Sequence, residues 1–182
     1  MSTSASPATL PIAQSPFGVA EVSRLVSTLA TTSDAVLSVG QTLTHPSLAV
    51  DSVGVGTAAS AGLDCDPACY GLALIHPQGD FAAGLFGYEA VVGLANVLAS
   101  LQGGARVVWL GPDDAAASFA AFGLSVATVS AAEPVGLIGR LLGRRMDGPS
   151  AVVGTVPQQP LTKLEYHAIA RDLVMASMRA AA

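Results

Sequence analysis

Residues 70–110 read YGLALIHPQGDFAAGLFGYEAVVGLANVLASLQGGARVVWL, and they decide the fold. The run YGLALI is apolar throughout, the pattern of a strand buried on both faces rather than one alternating between core and water. It leads into HPQGDFAAGLFG, where Pro77 and Gly79 supply turn angles and Gly84 and Gly87 let the backbone pass close to a neighbour or a ligand. The spacing then predicts a helix over 88–102. Val91, Val92, Leu94, Val97, Leu98 and Leu101 leave it little polar face, so it is either central in the fold or part of a subunit interface. Gly103 and Gly104 are expected to stop that helix, and ARVVWL is a second continuous apolar strand.

Outward from this unit the alternation repeats. PDDAAASFAAF (112–122) opens with Pro and two acids, which suit a first helical turn, and Gly123 follows its last turn. LSVATVS (124–130) and SAVVGTV (150–156) read as strands, EPVGLIGRLLGRR (133–145) as a short helix, and the stretch from Thr162 to Ala180 as a closing helix. Upstream, Val22, Leu25, Val26 and Leu29 recur at i, i+3, i+4, i+7, the stripe of an amphipathic helix. SDAVLSVGQTL is ambiguous, and 48–55 is a Val-rich strand. Four strands alternating with helices from Tyr70 onward imply right-handed crossovers, hence an α/β protein: a Rossmann-like three-layer sandwich with a mostly parallel sheet. An N-terminal helix precedes it, and residues 1–16, rich in Ser, Thr, Ala and Pro, form a flexible tail to a single domain over 17–182. There is no internal repeat of solenoid period.

Composition narrows the function classes. In 182 residues, 51% are hydrophobic and 12% charged, the latter about half the usual share. Low charge on an Ala- and Gly-rich chain suggests surface hidden in a homo-oligomer or beneath a partner subunit. Eight basic residues against thirteen acidic ones, a net charge of −5, leave no basic stripe for nucleic acid. The first eighteen residues contain no Lys or Arg and no long apolar core of a secretory signal, so cytoplasmic residence is the default expectation. Residues 115–132 are uncharged over nearly a spanning length, but their Ser, Thr and Gly content makes them core rather than membrane.

Chemistry is sought where open α/β sheets gather ligands, at the carboxyl ends of the strands. The loops expected there are 76–87, 111–114, 130–133 and 154–160. The first is the longest and carries His76 and Asp80, an acid–base candidate with its orienting carboxylate. Backbone amides around Gly79, Gly84, Gly87 and Tyr88 are candidates for holding an anionic group at a helix N-terminus, although Glu89 competes for the same amides. HPQGD is equally good turn chemistry. Asp113 and Asp114 stand where a ribose-binding acid is often found, or simply cap the helix that follows. The glycines do not fit G-x-G-x-x-G, no Lys-Ser or Lys-Thr pair completes a phosphate loop, and no hydrolase signature is present, so no cofactor is named. Cys65 and Cys69, with three residues between them, have too few histidines for a metal site and read as reduced thiols by default, with a local disulfide or redox pair as the alternative. Arg140 and Arg144 share a helix face and either clamp an anion or complement the helix C-terminus; His167 reads as surface. Two functions are therefore expected: a domain binding a small polar or anionic metabolite, with acid–base catalysis by His76, or a non-catalytic scaffold subunit of a larger assembly.

Overall fold

The structure is a computed structural model that describes residues 15–31, 34–54, 68–82, 84–85, 87–111, 115–131 and 149–180. Among these the chain is α/β, with a six-stranded mixed sheet and four helices. The order is helix α1 (Val19–Leu29), strands β1 (Val36–Val39), β2 (Val50–Val53) and β3 (Tyr70–Ile75), a 3-10 turn (Gly79–Phe81), α2 (Tyr88–Ala99), β4 (Leu101–Trp109), α3 (Ala116–Ala121), β5 (Ser125–Ser130), β6 (Ser150–Thr155) and α4 (Lys163–Ala180). Across the sheet the strands run β2-β1-β3-β4-β6-β5.

Alternating side chains give the sheet two apolar faces. Leu37, Val39, Ala73, Ile75, Val107 and Trp109 point to one face, where α2 and the first half of α4 cover them. Val36, Leu72, Leu74, Val108 and Val153 point to the other, against Val22, Leu25, Val26 and Leu29 of α1. The stripe read from α1 is thus its buried face. The Arg106 guanidinium donates to the Leu29 carbonyl, satisfying one of the open acceptors at the C-terminus of α1. The apolar helix α2 is central: Ala90, Val91, Gly93, Leu94, Ala95, Asn96, Val97 and Leu98 are all buried.

The sheet is less parallel than its alternation suggests. β1 pairs in parallel with β2 and β3, and β3 with β4, but β6 is antiparallel to both of its neighbours, β4 and β5. Strand–helix alternation carries no information on whether a late strand inserts between two earlier ones, and β6 does so. Its Gly154 makes the insertion possible, because a Cβ there would lie 2.6 Å from Leu124 and 3.0 Å from Phe119. The reversal moves the 154–160 loop to the opposite edge of the sheet, so it is not a partner in the expected cleft. There Gly104 donates to the Val156 carbonyl, and Gly103 lies so close to Gln158 that a Cβ would meet its carbonyl oxygen at 2.1 Å.

The glycine pair does not stop α2 either. The helix ends at Ala99, closed by the Ser100 hydroxyl on the Val97 carbonyl, and both glycines lie within β4. The closing helix starts as read, with Thr162 as its cap: the Glu165 amide donates to Thr162 Oγ1 at 3.3 Å and the Thr162 amide to Glu165 at 2.7 Å. His167, expected at the surface, is half-buried, its Nε2 2.8 Å from Asn96 Oδ1 of α2. Beside it Tyr166 is fully buried, and its hydroxyl lies near the Leu161 backbone without a well-formed hydrogen bond. An unpaired buried hydroxyl costs stability that a ring without it does not. Tyr166→Phe is therefore expected to leave the urea midpoint unchanged or raise stability by up to about 1 kcal/mol; a loss of that size would reveal a partner for the hydroxyl.

Candidate functional site

Strand order fixes where the sheet can hold a ligand. From β1 the chain moves to β2 on one side and then to β3 on the other, so connections diverge between the carboxyl ends of β1 and β3. The residues there are Gly40 and Gln41 after β1, and His76, Pro77 and Gln78 after β3. Gly40 has φ +93°, a conformation L side chains rarely adopt. A Cβ on it would lie 3.4 Å from both the Cβ and the carbonyl oxygen of His76, and 3.7 Å from Gln78 Cβ. His76 donates to the Val39 carbonyl, joining the two segments, and Gly40 donates to the Val53 carbonyl at the end of β2, each at 3.0 Å. Gln41 and Gln78 are exposed at the rim. The β1 half of this pair was missed in the sequence because four strand residues gave too short a pattern to assign; Gly40 directly after a Val-rich run was the available signal.

His76 is only 2% exposed. Its Nε2 lies 3.4 Å from Ser38 Oγ, while that hydroxyl donates to the Gln41 carbonyl at 2.6 Å. With the serine proton already committed, the imidazole Nε2–H is the donor to Ser38, which assigns a neutral Nε2–H tautomer. Burial holds the imidazole pKa down at about 4, because the charged form loses its hydration there. Asp80 is half-buried in the 3-10 turn and makes no hydrogen bond or ion pair among the described residues, so the side chain that orients His76 is Ser38.

The loop that carries His76 is folded upon itself. The amides of Gln78, Phe81, Ala82 and Gly84 donate to the carbonyls of His76, Gln78, Gly79 and Phe81, leaving none of these four for an anion. Phe81 and Leu85 are buried as apolar anchors, and the Ser118 hydroxyl of α3 donates to the Leu85 carbonyl at 3.2 Å. Gly79 and Gly84 have positive φ, as turn residues. Gly87 is the N-cap of α2 without a side-chain cap bond, and the first-turn amides at Tyr88, Glu89 and Ala90 have no intrahelical acceptor. Tyr88 itself is 63% exposed, so its side chain stands away from the core. Asp113, Asp114, Cys65, Arg140 and Arg144 lie outside the described residues. Cys69 is exposed. Among the described residues, no three His, Cys, Asp or Glu side chains come together to hold a metal ion, and no helix is long and apolar enough to cross a membrane. No protein-family model matches the chain, and no curated protein matches it.

Proposed function

We propose that this chain is a small-molecule-binding α/β domain of Rossmann-like, three-layer build, which holds a polar or anionic metabolite above the carboxyl ends of β1 and β3, in a cytoplasmic setting. The observation that supports this reading is the convergence of Gly40 and His76 at the point where the strand connections diverge. A glycine at positive φ places no side chain between the ends of β1 and β3, and the exposed Gln41 and Gln78 beside it provide neutral donors and acceptors. The first-turn amides of α2, beyond Gly87, are the groups that favour an anionic end on the ligand. His76 takes part as a neutral imidazole. An acid–base step at this residue starts from the neutral form near pH 7, so His76 serves as a base before it serves as an acid, with Ser38 rather than Asp80 setting its tautomer.

The test is a thermal-shift screen of the full chain against carboxylates, phosphates, nucleosides and amino acids. A ligand present at about 100 times its dissociation constant adds about 2.7 kcal/mol. For a domain of this size that raises Tm by roughly 5–10 °C. Replacing both rim glutamines, Gln41→Ala and Gln78→Ala, removes the shift while leaving the unliganded Tm in place. A screen in which no such compound moves Tm, or in which the double variant responds like the parent, defeats the proposal.

A second reading, a non-catalytic scaffold subunit, is favoured by one observation: α4 leaves Leu164 81% and Met178 64% exposed, and Met175 also stands in solvent. Native mass measurement separates it, since a monomer at micromolar concentration counts against burial of those side chains in an assembly.

A further inference from the structure

The loop after β3 also walls a recess that does not include Gly40 or His76. α4 is eighteen residues long and α2 twelve, so α4 runs about 9 Å beyond what α2 can cover. The apolar stripe of α4 is buried at Tyr166 and Ala170, where it packs on α2, but only half-buried at Leu173 and Val174. Under that overhang lies a cavity of about 280 Å³, walled by Leu85 of the loop, Val91 of α2, Ala117 and Ala121 of α3, and Leu173 and Val174 of α4. It exists because α3 presents two methyl groups, at i and i+4, where larger side chains would close it.

We propose that this recess binds a small apolar or amphipathic molecule, an aromatic ring system or the tail of a medium-chain carboxylic acid. Its walls carry almost no polar function. The Ser118 hydroxyl is already committed to the Leu85 carbonyl, and the other lining hydroxyl, Ser177, is exposed at the outer rim, where a polar end of the ligand meets water. The recess opens to solvent on the side of Ala117, Ala121 and Ser177, and an apolar group seated in it removes its apolar wall from water. The volume equals that of about nine waters, hence on the order of ten ligand atoms, at the small end of ligand pockets.

The experiment titrates the full chain with octanoate and with indole by calorimetry, beside Ala121→Phe and Ser177→Trp, each of which fills the recess from a different helix. Both positions are exposed, so neither variant disturbs the core. The expected result is saturable one-to-one binding of at least one probe by the parent, weakened tenfold or more in both variants. The same binding is unchanged by the paired Gln41→Ala and Gln78→Ala substitutions, which keeps this site distinct from the polar crevice. Absence of saturable binding of both probes overturns the proposal, and so does equal binding by parent and variants. A parent dimer that Ala121→Phe converts to monomer also overturns it, since the recess is then a contact between copies.

Discussion

Trp109→Ala is expected to lower stability by about 3–5 kcal/mol, the range for truncating a buried aromatic, a large part of the roughly 5–15 kcal/mol that holds a domain folded. Trp109 is the largest fully buried side chain among the described residues, 1% exposed at the carboxyl end of β4. It packs into the cluster that joins the sheet to α2, α3 and α4, so its loss opens a void that three helices must close together. At roughly 2–4 °C per kcal/mol, Tm falls by about 6–20 °C, measurable by calorimetry. A second substitution tests the cause. Gly111 lies under the indole, and a Cβ there would be 2.1 Å from Cζ2 and 2.3 Å from Cε2. Gly111→Ala therefore overpacks a full site and costs about 1–3 kcal/mol or more. In the Trp109→Ala background the added methyl has room, so the double variant loses less than the two single losses combined. Strict additivity would show that the indole and Gly111 do not compete for that space.

The sequence and the structure agree where a pattern reports on one element and part where it must report on two. Val22, Leu25, Val26 and Leu29 mark the buried face of α1 because helical periodicity depends only on the helix and a core beside it. The run YGLALI is a fully buried strand for the same reason. The orientation of β6 was not legible: Ala151 and Val153 are buried equally well in a parallel or an antiparallel strand, and the close fit of Gly154 on Leu124 and Phe119 arises only once the strands are side by side. The same holds for Gly103 and Gly104, read as a helix stop. Their place within β4 depends on the approach of Gln158, more than fifty residues on in the chain.

The candidate site shows the same division. His76 was visible as a titratable residue following a buried strand, where such folds collect ligands. Its partner was not, because Ser38 and Gly40 lie almost forty residues away and meet it only once β1 and β3 are side by side. Asp80, four residues along the same loop, was the nearer candidate in sequence, but the 3-10 turn carries it off and anchors the loop through Phe81 instead. A loop read for its glycines and polar residues is held mainly by Phe81 and Leu85. These anchors also explain why it contributes a wall to the apolar recess.

The buried imidazole makes stability depend on pH in a definite direction. His76 titrates at about 4 in the folded chain against the ordinary 6.5, so between these values the unfolded chain binds the extra proton. Stability from this residue is fully present above pH 6.5 and is lost as pH falls toward 4. The span of about 2.5 pH units corresponds to roughly 3 kcal/mol. Protonation keeps the Nε2–H bond to Ser38 but adds a donor at Nδ1, which must then find an acceptor or water inside the fold. The Glu165 carboxyl, held below its ordinary 4.5 by hydrogen bonds from Thr162, loses its contribution only as pH falls below that value, so its effect lies mostly beneath the histidine window. The measurement is a series of urea unfolding curves from pH 7.5 to 4.5 for the parent and for His76→Gln, whose amide can still donate to Ser38 but does not titrate. The parent is expected to weaken steeply below pH 6.5, and the variant, whatever its absolute stability, to show a slope smaller by about one proton across the interval. Parallel slopes would place the acid sensitivity elsewhere and return His76 to an exposed, solvated imidazole in solution.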